Sequence, residues 1–284
     1  MTMREDEKRA VLITKASGVK EPFRIEKLEE SLRRAGAGED IIREVARDIE
    51  AWLVDGVPTR KIYARAFALL RKKKRLVASR YKLKQAIMEM GPTGYPFERL
   101  VGKVIERQGY AVEIGQVLKG RCVSHEVDVV AVRDRHRLFM ECKYGLSAEK
   151  TVNVQVPLYV RSRVNDIIDR FKESGKYPGA TFSGGVATNT RFTSDAIDYG
   201  TCSGLLMLSW DYPSGDGLKD WIDRERLYPV TVLHSLTKAQ KQDLLGRGVV
   251  VCHQLLKDRG ALSPFRLDKN KYQALMKELD DILN

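Results

Sequence analysis

Two carboxylates and a lysine stand at a spacing that can do phosphate chemistry. They lie in Val123-Ser124-His125-Glu126-Val127-Asp128-Val129-Val130-Ala131-Val132 and Arg137-Leu138-Phe139-Met140-Glu141-Cys142-Lys143, two strand-like runs joined at Asp134-Arg135. A hairpin centred on that turn sets Asp128 opposite Glu141 and Glu126 opposite Lys143. Side chains alternate along a strand, so all four point to one face, with facing Cβ atoms roughly 4.5–5.5 Å apart. Carboxylates that close repel unless a proton, a lysine or a divalent cation stands between them. Magnesium suits such a pair, because it takes one or two carboxylates plus water and phosphate oxygens. Lys143 can then hold a water or neutralise charge developing on phosphate. The competing reading is a polar sheet face with a Glu126–Lys143 ion pair. His125, on the opposite face, reads as structural.

The elements that must position these residues follow from periodicity. Phe97, Leu100, Val101, Val104 and Ile105 predict a helix ended by Gly109. Strands are expected over Tyr110–Leu118, Cys122–Val132 and Arg137–Lys143, then a helix over Val156–Phe171 with Pro157 in its first turn. A strand near Gly185–Thr188, a helix near Ser194–Tyr199 and a strand Leu205–Ser209 complete a mixed sheet flanked by helices, in the order αβββαβαβ. Before it, residues 11–25 read as a short hairpin. Three amphipathic helices follow, the third N-capped by Thr59, and a fourth spans Leu76–Met90. Breakers at Gly91-Pro92-Thr93-Gly94 and Pro213-Ser214-Gly215 predict domains at 1–90, 91–211 and 212–284, the last a small helical region for DNA binding or dimerisation.

Composition narrows the class. The chain has 284 residues, 43% hydrophobic and 31% charged, as in folded globular proteins. No apolar run approaches the ~18 residues of a membrane span, and Met1–Arg9 holds no apolar leader core, so neither membrane nor export is expected. The cysteines Cys122, Cys142, Cys202 and Cys252 form no CxxC, which argues against a zinc ribbon and fits a reducing cytoplasm. The formal charge is +12. Eleven basic residues against Glu89 alone place +10 of it between Arg60 and Met90. The run Arg71-Lys72-Lys73-Lys74-Arg75 at its centre points to contact with a polyanion.

The order αβββαβ with Asp128 and Glu141-Cys142-Lys143 resembles the PD-(D/E)XK nuclease superfamily. Phe97-Glu98 with Leu100-Val101 and Gln108-Gly109-Tyr110 is similar to its Mrr-type restriction endonuclease and archaeal resolvase branch, over Tyr95–Trp210. The resemblance implies a Mg2+- or Mn2+-dependent endonuclease. Asp128 and Glu141, the Cys142 carbonyl, and Glu98 and Glu126 as outer ligands would hold metal, with Lys143 as catalytic lysine. Glu141 stands where Mrr-like enzymes often have Gln, and Val127 where proline is common. Residues 11–90 resemble the ATP-cone, the regulatory nucleotide domain of ribonucleotide reductases, through Val11-Leu12-Ile13-Thr14-Lys15-Ala16-Ser17-Gly18, Glu21-Pro22-Phe23-Arg24-Ile25-Glu26-Lys27-Leu28 and Gly56-Val57-Pro58-Thr59. That implies ATP or dATP as effector. Lys15 and Lys27 would meet phosphates, Glu21 the adenine or ribose, Arg24 a phosphate or the ring, and Thr59 phosphate at a helix start. No GxxxxGK[ST] loop is present. Gly246-Arg247-Gly248 resembles the turn of helix-hairpin-helix modules, with Arg247 departing from the apolar residue usual there.

Together these readings describe a cytoplasmic, homo-oligomeric Mg2+-dependent DNA endonuclease governed by an adenine nucleotide. The alternatives are a nucleotide-sensing DNA-binding protein with an inactive nuclease fold, a structure-selective repair or resolvase-like enzyme, and an RNase.

Overall fold

A computed structural model describes residues 11–15, 17–147 and 149–284; the charged stretch Met1–Arg9 lies outside them. The chain divides into two compact units, the first ending at Lys82 and the second Leu83–Asn284. The division falls within one helix.

The first unit begins with β1 (Leu12–Thr14) and β2 (Lys20–Pro22), an antiparallel pair turning at Ser17-Gly18. Then come α1 (Ile25–Arg34), α2 (Glu39–Trp52), α3 (Thr59–Lys73) and the start of α4 (Arg75–Met88). Leu28, Leu32, Ile42, Val45, Ile49, Ile62, Ala66 and Leu70 meet in one core, one stripe from each helix, as their 3–4 spacing dictates. Pro58, not Thr59, occupies the N-cap of α3. The Thr59 hydroxyl instead donates to the Thr14 carbonyl at 3.2 Å, stitching α3 to the hairpin. The basic run does not extend a single helix: α3 ends at Lys73, Lys74 is extended (φ −144°), and α4 starts at Arg75. It therefore forms a corner.

The second unit opens on α5 (Tyr95–Glu106), followed by β3 (Ala111–Lys119), β4 (Ser124–Arg133) and β5 (His136–Lys143). Next are β6 (Thr151–Val152), α6 (Gln155–Ser174), β7 (Thr181–Thr188), β8 (Arg191–Phe192), α7 (Ser194–Cys202) and β9 (Leu206–Leu208). The five-stranded sheet has the order β3-β4-β5-β7-β9. β3, β4 and β5 are antiparallel neighbours, whereas β5–β7 and β7–β9 are parallel, the latter two joined through helices as parallel strands require. β4 is an interior strand beside the central β5 and is rich in β-branched residues, which suits a strand packed on both faces.

A helix covers each face. On one, Val130 and Phe139 share a core with Val160, Val164 and Ile167 of α6. On the other, α5 packs on β3 at Gly102, where an added Cβ would come within 2.6 Å of Ile114. α6 makes a matching close approach at Gly184, where a Cβ would meet Val164 at 2.8 Å. The small pair β6–β8 lies apart from the main sheet.

The C-terminal helices α8 (Leu218–Arg224), α9 (Lys238–Gly246), α10 (Cys252–Lys257) and α11 (Lys269–Leu283) belong to this second unit. Both expected breaks, at Gly91–Gly94 and at Pro213–Gly215, fall inside it. Thr231 donates to the Ala86 carbonyl at 2.6 Å and Gln242 to the Glu89 carbonyl at 2.8 Å, tying this region to the end of α4. Gly246-Arg247-Gly248 is a helix end rather than a hairpin. Gly248 is left-handed (φ +80°) and its N–H returns to Leu245, while the Val249 N–H returns to Leu244. Arg247 is spent on Asp243 and the Ala261 carbonyl, so the turn offers no free row of N–H groups to a phosphate.

Candidate active site

The strand register places the acidic pair. β4 and β5 pair Val129 with Met140 and Val130 with Phe139, so Asp128 and Glu141 come next, where regular pairing stops. In place of a backbone bond there, the Asp128 carboxylate accepts from the Cys142 N–H at 2.6 Å. β3 yields at the same level. Its pairing with β4 runs unbroken on both sides of Gly115, yet Gly115, opposite Asp128, adopts φ +63° and makes no pair. Only glycine enters that region without cost, and the kink loosens the sheet beside Asp128.

Glu141 is the most enclosed of the set, with 9% of its side chain exposed. Lys143 Nζ lies 2.6 Å from its Oε1, and the Tyr159 hydroxyl donates to the same oxygen at 2.7 Å. Arg163 holds Oε2 at 2.5 Å and also donates to the Glu126 carbonyl at 3.0 Å. Tyr159 and Arg163 stand four residues apart on α6, one turn above the other, and both cations lie over the Tyr159 ring, at 5.5 Å and 5.3 Å. No ion pair joins Glu126 to Lys143, so the simple cross-strand alternative does not describe this face; Lys143 turns to Glu141.

The electrostatics carry the mark of crowded carboxylates. Burial, reinforced by the charges of Asp128, Glu126 and Glu141, pushes Glu98 up to about 7. Burial likewise raises Asp128 to about 6, with the Cys142 N–H pulling the other way and the Glu141 charge adding to the rise. Burial works against the charge on Lys143, but its hydrogen bonds to Glu141 and Tyr159 outweigh it and hold the ammonium above the ordinary lysine range. Burial pushes the Tyr159 phenol up to about 12. Glu98 thus reaches from α5 into the field of a pair carried by β4 and β5. Among the described residues no three His, Cys, Asp or Glu side chains converge tightly enough to cage a metal by themselves.

His125 is structural: its Nε2 sits 2.7 Å from Asp166, which also accepts from the Cys122 and Val123 N–H groups and pins the β3–β4 turn to α6. The Tyr159–Arg163 pair was not singled out in the sequence. Its one signal was a Tyr-x-x-x-Arg spacing on the helix that covers the hairpin's acidic face.

In the first unit the hairpin gathers several expected residues. Lys15 lies 3.0 Å and Lys27 3.9 Å from Glu21, whose carboxyl is held below its usual range first by the Lys15 hydrogen bond. Arg24 adds to that field. Thr59 is joined to the same hairpin through Thr14. Of the basic corner, Lys73 is bound to Glu44 at 2.6 Å, while Arg71, Lys72 and Lys74 are exposed.

Known proteins add the following. Residues 228–283 match a family model described as AF1548-like, C-terminal. An uncharacterized protein of Archaeoglobus fulgidus is 28% identical over 156 residues, which are 55% of this chain and 83% of its own length. The crystal structure of AF1548, a protein of unknown function, is similar at a TM-score of 0.54 and 26% identity, covering 67% of this chain and 98% of that one. The mixed α/β architecture with C-terminal helices is therefore shared with a solved protein. The MspJI restriction endonuclease in complex with a 27-mer oligonucleotide is similar at a TM-score of 0.30 and 12% identity, over 47% of this chain and 30% of that one; a likeness that slight carries no argument. No helix of the described residues is long and apolar enough to cross a membrane.

Proposed function

We infer that the chain is a divalent-cation-dependent nuclease of the PD-(D/E)XK kind that hydrolyses phosphodiester bonds in DNA, with an ATP-cone-like first unit. One observation carries the reading: Asp128 and Glu141 come next after the last pair of the β4–β5 ladder, with Lys143 on Glu141 and Glu98 in the same field. Folding alone has no use for such a group. Its carboxylates raise one another's proton affinity, and half-buried repelling charges cost stability.

The donors fit a hard cation. They are oxygen-only, they are crowded, and a positive ion offsets the burial and the repulsion that together lift Glu98 and Asp128. Asp128 and Glu141, with the Cys142 carbonyl beside them and Glu98 and Glu126 behind, would hold Mg2+ or Mn2+, and water and phosphate oxygens would complete the shell. Such an ion polarises the phosphate and lowers the pKa of bound water. Lys143, positively charged and bound to Glu141, would orient an attacking water and offset charge building on the phosphate oxygens. Tyr159 fixes the Glu141 rotamer through its hydrogen bond.

The test is cleavage of supercoiled plasmid, branched DNA and RNA by purified protein, with Mg2+ or with EDTA. Asp128→Asn, Glu141→Gln and Lys143→Met are each expected to lose on the order of 100-fold or more in rate, with circular dichroism unchanged. Full activity in EDTA, or three variants as active as the parent, would overturn the reading.

A second reading keeps the DNA contact without the chemistry: a nucleotide-sensing binding protein. It draws on Glu141 being fully engaged by Lys143, Arg163 and Tyr159. Tight DNA binding with no cleavage of any substrate in Mg2+ or Mn2+ would select it.

A further inference from the structure

A carboxylate offers about four lone-pair sites, and in Glu141 three are taken. Lys143 and Tyr159 hold Oε1, and Arg163 holds Oε2. Two full positive charges on one enclosed carboxylate exceed what neutralising it requires. Both cations also ease the charge on Asp128 through space, but its carboxylate accepts its hydrogen bond from the Cys142 N–H rather than from either of them. Neither cation is sealed in. Lys143 is 38% and Arg163 28% exposed along the side chain, against 9% for Glu141, so both reach the carboxylate from the solvent side. Arg163 is also anchored by the Glu126 carbonyl, which keeps its guanidinium at the site if its bond to Glu141 is given up.

We propose that Arg163 is a phosphate-binding residue parked on Glu141, and that its exchange between carboxylate and phosphodiester makes divalent-cation binding and nucleic-acid binding mutually dependent. This rests on the nuclease reading above and adds a binding order to it. In the free protein Arg163 already holds Oε2, the Glu141 oxygen with fewer donors and so the one a cation would share or take over. A phosphodiester beside the site offers the planar guanidinium two non-bridging oxygens as a bidentate acceptor, which frees Oε2. A carboxylate engaged by a cation, in turn, releases Arg163 to the phosphate. Linkage requires the two effects to be equal: whatever factor DNA adds to cation affinity, the cation adds to DNA affinity.

Two titrations on the full-length protein test this. Ca2+ alone is titrated by calorimetry with and without a saturating duplex oligonucleotide, and the fluorescent duplex is titrated by anisotropy with and without Ca2+. The parent is expected to show reciprocal coupling of about tenfold or more. Arg163→Gln is expected to bind Ca2+ several-fold more tightly in the absence of DNA, to bind the duplex about tenfold more weakly in Ca2+, and to lose most of the coupling. Arg163→Gln with weaker Ca2+ binding and unchanged duplex affinity would overturn the proposal and leave Arg163 as a support for Glu141. Coupling retained in full by Arg163→Gln would overturn it as well, by assigning the linkage to cation–phosphate contact alone. If Arg163→Gln fails to fold, the parent decides: independent binding of Ca2+ and duplex overturns the proposal. A parent that cleaves with Mg2+ yet shows no coupling sinks this inference only, whereas a parent with neither cation binding nor cleavage sinks the nuclease reading itself.

Discussion

At the scale of single residues, the site is defined by charge that burial makes expensive. Glu98 illustrates it. Its carboxyl is raised from 4.5 to about 7 by burial and by three neighbouring carboxylates. A raised acid binds more protons in the folded than in the unfolded state between those two values, so its contribution falls as pH rises through that window. Below about pH 4.5 Glu98 is neutral in both states and costs nothing; above about pH 7 it is charged in both, and the folded state bears the repulsion. Glu98→Gln removes the titration while keeping the shape. In metal-free protein with EDTA, the variant is expected to match the parent's thermal midpoint at pH 4.5 and to exceed it increasingly up to pH 8. Parallel melting curves across that range would show that Glu98 feels no such field. Tyr159 and Arg163 belong to the same scale and explain why Glu141 stays ordered among like charges: its neighbours on α6 supply what the sheet does not.

At the scale of elements, the basic corner between α3 and α4 makes a prediction about binding. Arg71, Lys72 and Lys74 are exposed, whereas Lys73 is bound to Glu44. Phosphate contacts act through counterion release, so each lost contact weakens binding for every sequence alike and flattens the salt dependence. Reversing Arg71, Lys72 and Lys74 to Glu is expected to lower the slope of log K against log salt by about 2–3 in anisotropy titrations. An unchanged slope would mean that the corner touches no nucleic acid. Lys73 is left intact, because its reversal would place two acids together and confuse binding with folding. The elements themselves were mostly legible in the sequence. The turn at Asp134-Arg135 sets the β4–β5 register, which brings Asp128 and Glu141 together just past the last pair, Val129–Met140. Simple alternation fails there, because Val127 packs in the same core as Val130 and His125, expected on the opposite face, meets Asp166 of α6. What was not legible has physical causes. A helix pattern does not reveal that Lys74 turns extended in the midst of basic residues with helical propensity. Two-residue strands such as β6 and β8 have no period to read. The kink at Gly115 lies opposite Asp128, in the midst of a β3 pattern that otherwise reads as regular strand. Thr59 looked like a cap because Thr caps helices often; Pro58 took that position, and the hydroxyl found the Thr14 carbonyl. Arg163 was invisible because helical arginines are commonplace, and only the closeness of α6 to the acidic face gives this one a partner.

At the scale of the whole molecule, the proposed function predicts that a nucleotide bound to the first unit alters hydrolysis in the second. On the proposed ATP-cone-like reading, the nucleotide would meet Lys15 and Lys27, which flank Glu21 on the hairpin, and the start of α3 at Thr59, which bonds to the Thr14 carbonyl. Both lysines are largely exposed, and exposed ion pairs of this kind contribute little, so a triphosphate can take them from Glu21 at small cost. Helix α4 begins in this unit and ends in the other. At that far end the carbonyls of Ile87 and Met88 accept from the Tyr144 hydroxyl, at 3.1 Å and 2.8 Å, and Tyr144 follows Lys143 in the chain. Within the second unit, the end of α4 is thus tied to the residue that follows Lys143, the partner of Glu141. Coupling of ~1–3 kcal/mol would change cleavage by roughly 5- to 150-fold. ATP or dATP is expected to bind the full-length protein by calorimetry, to lose most of that affinity in Lys15→Ala and in Lys27→Ala, and to alter cleavage rate or oligomer size in the parent but not in either variant. Tyr144→Phe should leave nucleotide binding intact and reduce its effect on the rate, which separates the path from the pocket. A calorimetric blank for both nucleotides would remove the regulatory role. Binding that leaves cleavage kinetics and sedimentation unchanged would reduce the first unit to a nucleotide site without a consequence for the second.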